Sequence, residues 1–265
     1  MCSANGTLNR MASRRLVLER NIAAHALGES NEVSTAKIAK ALKDRSPRVR
    51  ETVVRVIQEQ QLSEFVPDVE ACLSDRNWML RAAAAVCIGE LLESTQIPHL
   101  GLRNLVANDP EWVVRIDAME SLASIEDSGA IEQIATRLDD ENGVVRSYCA
   151  GILVEMSGRA YKSDLRKLLQ RENDPRAKVG ILAALFSLGD RSLLPRLLEL
   201  LHSEEYQTRC AVVHSVENLR LNPEELNAVI KALVKLRRTD PTRAVTSTIT
   251  TVLKTLRSAT GATVT

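Results

Sequence analysis

Aromatic side chains make up only 3% of this 265-residue chain: three tyrosines, two phenylalanines and two tryptophans. A β-sandwich needs aromatic and β-branched residues in alternation, and that supply is missing. Long apolar runs are missing too. The longest, such as Ala82–Ile88, fall well short of the ~20 residues that cross a bilayer as a helix, so no membrane span is expected. His25, His99, His202 and His214 are scattered, none is followed by glutamate, and no HExxH occurs. The phosphate-cradling GxxxxGK[ST] and GxGxxG patterns and the GxSxG nucleophile turn are also absent. The reading is therefore of a chain without catalytic residues, metal or cofactor. The cysteines, Cys2, Cys72, Cys87, Cys149 and Cys210, are odd in number and form no CxxC. Four of them fall in apolar helical stretches, which suits buried reduced thiols. Residues Met1–Ser13 are polar and lack the apolar core of a secretory signal. Together these features make a cytoplasmic location the expectation.

Charge is balanced. Thirty-five basic and 34 acidic residues leave a net charge of +1, which offers no bulk attraction for a phosphate backbone. What is abundant is leucine, alanine, valine, arginine and glutamate, with 45% hydrophobic and 26% charged residues. That mixture favours helices with a continuous apolar core.

The chain repeats itself. "DRSPRVRETVVRVI" from Asp44, "DRNWMLRAAAAVCI" from Asp75, "DPEWVVRIDAMESL" from Asp109 and "DENGVVRSYCAGIL" from Asp140 each place an arginine six residues after the aspartate: Arg50, Arg81, Arg115 and Arg146. Looser copies supply Lys178, Arg209 and Arg243. Successive basic positions lie 31, 34, 31, 32, 31 and 34 residues apart. Three places after that column stand Val53, Ala84, Ala118, Cys149, Ile181 and Val212. Seven places after it stand Ile57, Ile88, Leu122, Leu153, Leu185 and Val216, and ten after it Leu91, Ile125, Met156, Leu188 and Leu219. Offsets of three, seven and ten mark one stripe of an α-helix.

A shorter apolar-periodic segment precedes each motif, and Pro67, Pro98, Pro195 and Pro223 fall near the starts of these segments, where a missing N–H costs little. Each unit is thus helix, turn, helix. Such a pair cannot bury its apolar face alone, whereas stacked pairs can. The expected fold is all-α, a right-handed α-α superhelix of about seven helical pairs. Residues 1–33 are read as a polar segment with a capping helix near Arg14–Leu27, residues 34–257 as the uninterrupted array, and 258–265 as a frayed tail.

The repeated helical pair with "D…(V/L)R..A…L" opening its second helix resembles a HEAT repeat, and more narrowly the short HEAT-like repeats of the phycobiliprotein-lyase type. The resemblance runs from about Thr35 to Leu256. It implies that the ladder of Asp44, Arg50, Asp75, Arg81, Asp109, Arg115, Asp140, Arg146 and Arg209 bridges adjacent repeats. The chemistry agrees: an aspartate in the turn can accept from free helix N–H groups, and an arginine fork can hold a neighbour's carboxylate. Without that bridge an arginine near the positive end of a helix dipole is poorly placed. Some HEAT-like proteins are di-iron hydroxylases with paired His-Glu dipeptides, which this chain does not contain.

The resemblance also implies that the second helices line a concave groove. Its lining falls two, five and nine places after the basic column, a set that begins with Thr52 and Ala83. Glu90, Asp117, Glu120 and Glu155 gather there on the middle repeats. Beyond them the lining turns small and apolar around Gly151, Gly180 and Ala183, flanked by Tyr148 and His214. A groove of this kind suits a basic or amphipathic segment of a protein partner. The plainer alternative is a solvated face with tight helix–helix approach at the glycines. Trp78 and Trp112 share one slot, three before the arginine, and fit either interface anchors or packing between repeats. The functional expectation is a non-catalytic scaffold or adaptor. The resemblance leaves two alternatives, a bilin-lyase-like subunit and a HEAT-like nucleic-acid binder. For the latter, basic residues near both ends speak in favour and the acidic groove, which repels phosphate, speaks against.

Overall fold

The computed structural model describes Arg20, residues 35–92 and residues 99–258. Pro98, the tail beyond 258 and, Arg20 aside, the expected capping helix lie outside the described residues. Among the described residues there is no strand, and the chain divides into two compact units at the Gln133–Ile134 junction.

In the first unit, α1 (Thr35–Ala41) pairs with α2 (Pro47–Glu59), α3 (Val66–Cys72) with α4 (Trp78–Leu91), and α5 (Leu100–Asn108) with α6 (Trp112–Ser124). The short α7 (Ile131–Ala135) straddles the junction and precedes α8 (Gly143–Ser157). The second unit continues with α9 (Lys162–Arg171) and α10 (Pro175–Ser187), α11 (Leu194–Glu199) and α12 (Tyr206–Glu217), and α13 (Pro223–Thr239) and α14 (Arg243–Ser258). Pro47, Pro67, Pro175, Pro195 and Pro223 all occupy the first turn of a helix, where no amide donor is needed.

Second helices pack side by side: α2 on α4 and α4 on α6 in one unit, α8 on α10, α10 on α12 and α12 on α14 in the other. The repeated columns make these cores. Val53, Ala84, Ala118, Cys149, Ile181 and Val212 are buried, as are Ile57, Ile88, Leu122, Leu153, Leu185 and Val216. Each fully buried valine, leucine or isoleucine among them contributes about 1.5–3 kcal/mol of transfer free energy. The ten-place column is less uniform: Ile125 and Leu188 are buried, while Leu91, Met156 and Leu219 are half-exposed. Ile125 and Leu188 stand just beyond the ends of their helices, whereas Leu91 and Met156 lie within the last turn of theirs.

The turn out of a second helix is built the same way in both units. Gln61, Glu126 and Gly189 adopt positive φ, eleven places after the basic column. The following amides of Leu62, Asp127 and Asp190 reach back to Ile57, Leu122 and Leu185 at 3.0, 2.9 and 3.0 Å. These are Schellman closures, which satisfy carbonyls the helix would otherwise leave open.

The arginine column joins one repeat to the next. Arg50 donates to Asp75 (2.6 Å). Arg81 grips both oxygens of Asp109 (2.6 and 2.8 Å), and Arg209 both oxygens of Asp240 (2.6 and 3.1 Å). Arg146 grips Glu172 (2.7 and 2.8 Å). Each guanidinium also donates to the carbonyl six residues before it in its own turn: Asp44, Asp75, Asp140 and Ser203 at 2.6, 2.9, 2.6 and 2.8 Å. Arg115 does the same to Asp109 at 2.8 Å. The acids are themselves braced, because Asp44, Asp75, Asp109 and Asp140 accept from the amide two residues on at 2.8–2.9 Å. Asp44 also takes Arg20 (2.8 Å). This double engagement offsets the unfavourable end of the helix dipole for Arg50, Arg81, Arg146 and Arg209.

Glu172 and Asp240 join the ladder as acceptors beyond the expected set. Glu172 lies six places before Lys178, so the period itself carries it; Asp240 lies only three before Arg243, in a degraded copy. Burial pushes the carboxyls of Glu172 and Asp240 up, but the arginines and nearby backbone amides outweigh it and hold both below their ordinary values. At the Lys178 copy the acceptor slot holds Ser203, and the repeats are joined there instead by a longer pair between Arg176 and Glu205 (3.9 Å).

A second set of clamps ties the end of one pair to the first helix beside it. Arg103 holds Asp127 (2.9 Å), Lys162 and Arg166 share Asp190 (2.6 and 2.8 Å), and Arg191 holds Glu225 (2.8 Å). Asp127 and Asp190 both stand twelve places after the basic column, a recurrence present in the sequence but masked by the stronger core stripe.

Candidate functional site

The outward face of α4 and α6 lies within the first unit. Glu90 and Glu120 are exposed there, Asp117 is half-buried, and Met79, Val86, Val113 and Ser124 keep solvent contact beside them. Two serines seam these helices together. Ser121 Oγ donates to Ala85 O (2.8 Å), and Ser124 Oγ to Gly89 O (3.0 Å). Of the other expected lining residues, Tyr148 and Glu155 are exposed on α8 and His214 is exposed on α12, all in the second unit.

The expected lining needs two corrections. Thr52 and Ala83, two places after the arginine, are buried, whereas Asp117 and Tyr148 at the same offset keep solvent contact. Gly180 does mark a tight approach, since an added Cβ would meet Ser147 at 2.3 Å, but around Gly151 there is nothing within 4 Å. Gly89, outside the expected lining, is also tightly packed: its Cβ would meet Ser121 at 2.8 Å. Trp78 and Trp112 begin α4 and α6 and remain 39% and 40% exposed, so they are not fully consumed by packing between repeats.

The electrostatics of this face follow from how its cations are used. Between Asn77 and Gln133 the sequence has nine acidic residues and only three basic ones, Arg81, Arg103 and Arg115. Arg81 is held by Asp109, Arg103 by Asp127, and Arg115 by the carbonyls of Asp109 and Pro110. Acids such as Glu90, Glu111 and Asp117 therefore share this stretch with cations already engaged elsewhere. Burial alone pushes the Asp117 carboxyl up to about 6.

That shift makes a prediction with a definite sign. A carboxyl titrating at about 6 when folded, against an ordinary 3.8, favours the folded state below the lower value. The advantage is lost as pH rises through the higher one. Asp117→Asn is therefore expected to stabilise the protein by about 1–2 kcal/mol near pH 7.5, allowing for partial solvent screening. The gain should shrink towards zero near pH 4. Urea unfolding at the two pH values measures it, and an equal gain at both would show that the charge of Asp117 is not the cause.

Among the described residues no group of three or more His, Cys, Asp or Glu could hold a metal ion, and no helix is long and apolar enough to cross a membrane.

Helical pairs repeating every 31–34 residues, stacked through their second helices and clamped by arginine–acid rungs, define an α-solenoid repeat protein. The chain belongs to the HEAT-repeat family, whose family model for HEAT repeats matches residues 35–101, 100–185 and 163–254. Its fold is similar to that in the complex of CpcE and CpcF of phycocyanin lyase from Nostoc sp. PCC7120. The TM-score is 0.54 at 16% identity, covering 86% of this chain and 96% of that one. It is also similar to the Escherichia coli protein YibA, with a TM-score of 0.50 at 19% identity, covering 87% and 95%. Among curated proteins, none matches the chain.

Proposed function

We propose that this protein is a non-catalytic scaffold or adaptor that binds a basic or amphipathic segment of a protein partner along the outward face of α4 and α6. The supporting observation is the charge arrangement. Glu90, Asp117 and Glu120 stand on two helices packed side by side, while all three arginines of that stretch are held in rungs, clamps or turn carbonyls. An acidic strip of this kind attracts a cationic segment and repels nucleic acid. In the other unit, taken by itself, Tyr148 and Glu155 on α8 and His214 on α12 are proposed as further partner contacts. The likeness to the CpcE–CpcF complex concerns the fold, and we place no lyase chemistry on this chain.

Calorimetric titration with a synthetic lysine-rich amphipathic peptide tests the reading. The double variant Glu90→Lys/Glu120→Lys is expected to weaken binding at least about tenfold, since like charges then face each other. Affinity of the unmodified protein should fall as salt is raised. Unchanged affinity in the double variant removes this face as the binding surface.

A further inference from the structure

The arginines of the first unit divide by what they hold. Among the described residues, Arg20, Arg50, Arg55, Arg81 and Arg103 each engage a carboxylate, and Arg115 engages the carbonyls of Asp109 and Pro110. Arg45, Arg48 and Arg76 engage neither, and all three are exposed. They also gather at one edge. Arg45 directly follows Asp44 and Arg76 directly follows Asp75, the same slot in consecutive repeats. The guanidinium of Arg50 lies 2.6 Å from the carbonyl of Asp44 and 2.6 Å from the carboxylate of Asp75, so the two turns meet on a single rung. Arg48 follows in the first turn of α2, and Lys43 is exposed in the same loop.

The acids of this edge are already occupied. Asp44 holds Arg20, Asp75 holds Arg50, and Glu51 holds Arg55. Lys43, Arg45, Arg48 and Arg76 are therefore left without a counter-charge of their own. Immediately after Arg76 and Asn77, Trp78 and Met79 are 39% and 45% exposed. Glu111, half-buried in the next turn, lies towards Arg81 and bounds the patch on that side.

We infer that this edge binds a carboxylate-rich segment of a partner protein, with Arg45, Arg48 and Arg76 donating to its acidic side chains. A guanidinium fork matches a carboxylate, and charge-assisted bonds of this kind are the strong ones. Tryptophan, methionine and arginine are the residue types enriched at protein interfaces, and Trp78 and Met79 supply apolar surface beside the cations. A nucleic-acid backbone fits less well. A duplex carries a charge about every 1.7 Å of its axis, and it would run past two turns onto repeats that expose Glu90 and Glu120. Arg76 and Glu90 stand near opposite ends of α4, about 20 Å apart at the helical rise and beyond a Debye length in physiological salt. The inference is therefore independent of the role proposed for the acidic face.

The probe is a short dye-labelled peptide of glutamate and aspartate with one central leucine. Its glutamine and asparagine counterpart and a short labelled DNA duplex serve as comparisons. Anisotropy with the full-length protein should show saturable binding of the acidic peptide that weakens as salt is raised, and none of the neutral one. Arg45→Glu/Arg76→Glu is expected to weaken binding at least about tenfold, with the fold checked by circular dichroism. Arg45→Lys/Arg76→Lys, which keeps the charge without the fork, should lose less. Lys231→Glu/Lys235→Glu changes the net charge equally on exposed positions of α13 and should leave binding within about twofold.

No binding of the acidic peptide, or equal losses in the Arg45/Arg76 and Lys231/Lys235 reversals, overturns the inference. Tighter binding of the duplex, lost in the same arginine variants, overturns the protein segment in favour of a phosphate backbone. The Glu90→Lys/Glu120→Lys variant keeps the two surfaces distinguishable. It should abolish capture of the lysine-rich peptide without weakening that of the acidic one, and a loss of acidic-peptide binding there would count against a local site at Arg45, Arg48 and Arg76.

Discussion

Replacing Arg81 with alanine is expected to cost about 3–5 kcal/mol of folding stability, the range for stripping one partner from a buried ion pair. Arg81 has only 11% of its side chain exposed and Asp109 only 2%, so the carboxylate left behind cannot recover its hydration. The substitution also frees the carbonyl of Asp75, which Arg81 engages at 2.9 Å. Lysine at this position is not a conservative change. It carries charge but not the fork that meets both Asp109 oxygens. Urea unfolding followed by circular dichroism measures the loss, with Arg55→Ala as the comparison. Arg55 forms an exposed pair with Glu51 one turn away, and its removal should cost no more than about 0.5 kcal/mol. Similar small losses for both would mean that the rung holds no more than an ordinary surface pair. Because solenoid stability is a sum of repeat and nearest-neighbour terms, the damage should fall on the coupling between the repeats of α4 and α6.

The second large effect is a contrast between two glycines. Gly180→Ala would put a Cβ 2.4 Å from the carbonyl oxygen of Ser147 and 2.8 Å from its carbonyl carbon. Those are backbone atoms of α8, so relief requires the helices to separate. The expected loss is about 1–3 kcal/mol, despite alanine's better helix propensity. At Gly151, exposed and with open space around its Cβ direction, the same substitution should add about 0.5–1 kcal/mol, because only the propensity and chain-entropy gain remains. Both lie inside second helices of the same unit, which makes thermal melting of the pair a direct comparison. Equal changes in melting temperature would reject the close approach of α8 and α10 at Gly180.

These two experiments bear on different kinds of information. Gly151 and Gly180 look alike in the sequence, each a small residue in an apolar helix. Only the position of Ser147 on the adjoining helix separates a permissive site from a forbidden one. The arginine ladder shows the same split. The interval between Asp75 and Arg81 is visible in the chain, but not that Arg81 turns to Asp109 for its carboxylate and to Asp75 only for a carbonyl. Glu172 can stand in for aspartate because its longer side chain still reaches Arg146, a tolerance that no interval reveals. Asp117 is another case. Its offset puts it on the open face, yet its half-burial and raised pKa come from what surrounds it in space.

What the chain's own order determined is the element type, the pairing of helices and the buried stripe, because helix periodicity is local and seven copies repeat it. Val53, Ala84, Ala118 and their equivalents are buried for a reason that lies within a few turns of each. What only the tertiary structure decided is which acid each arginine holds, which glycine touches a neighbour and how much of Trp78 and Trp112 remains in solvent. Those depend on the distance and rotation between helices some thirty residues apart, and packing across repeats sets them.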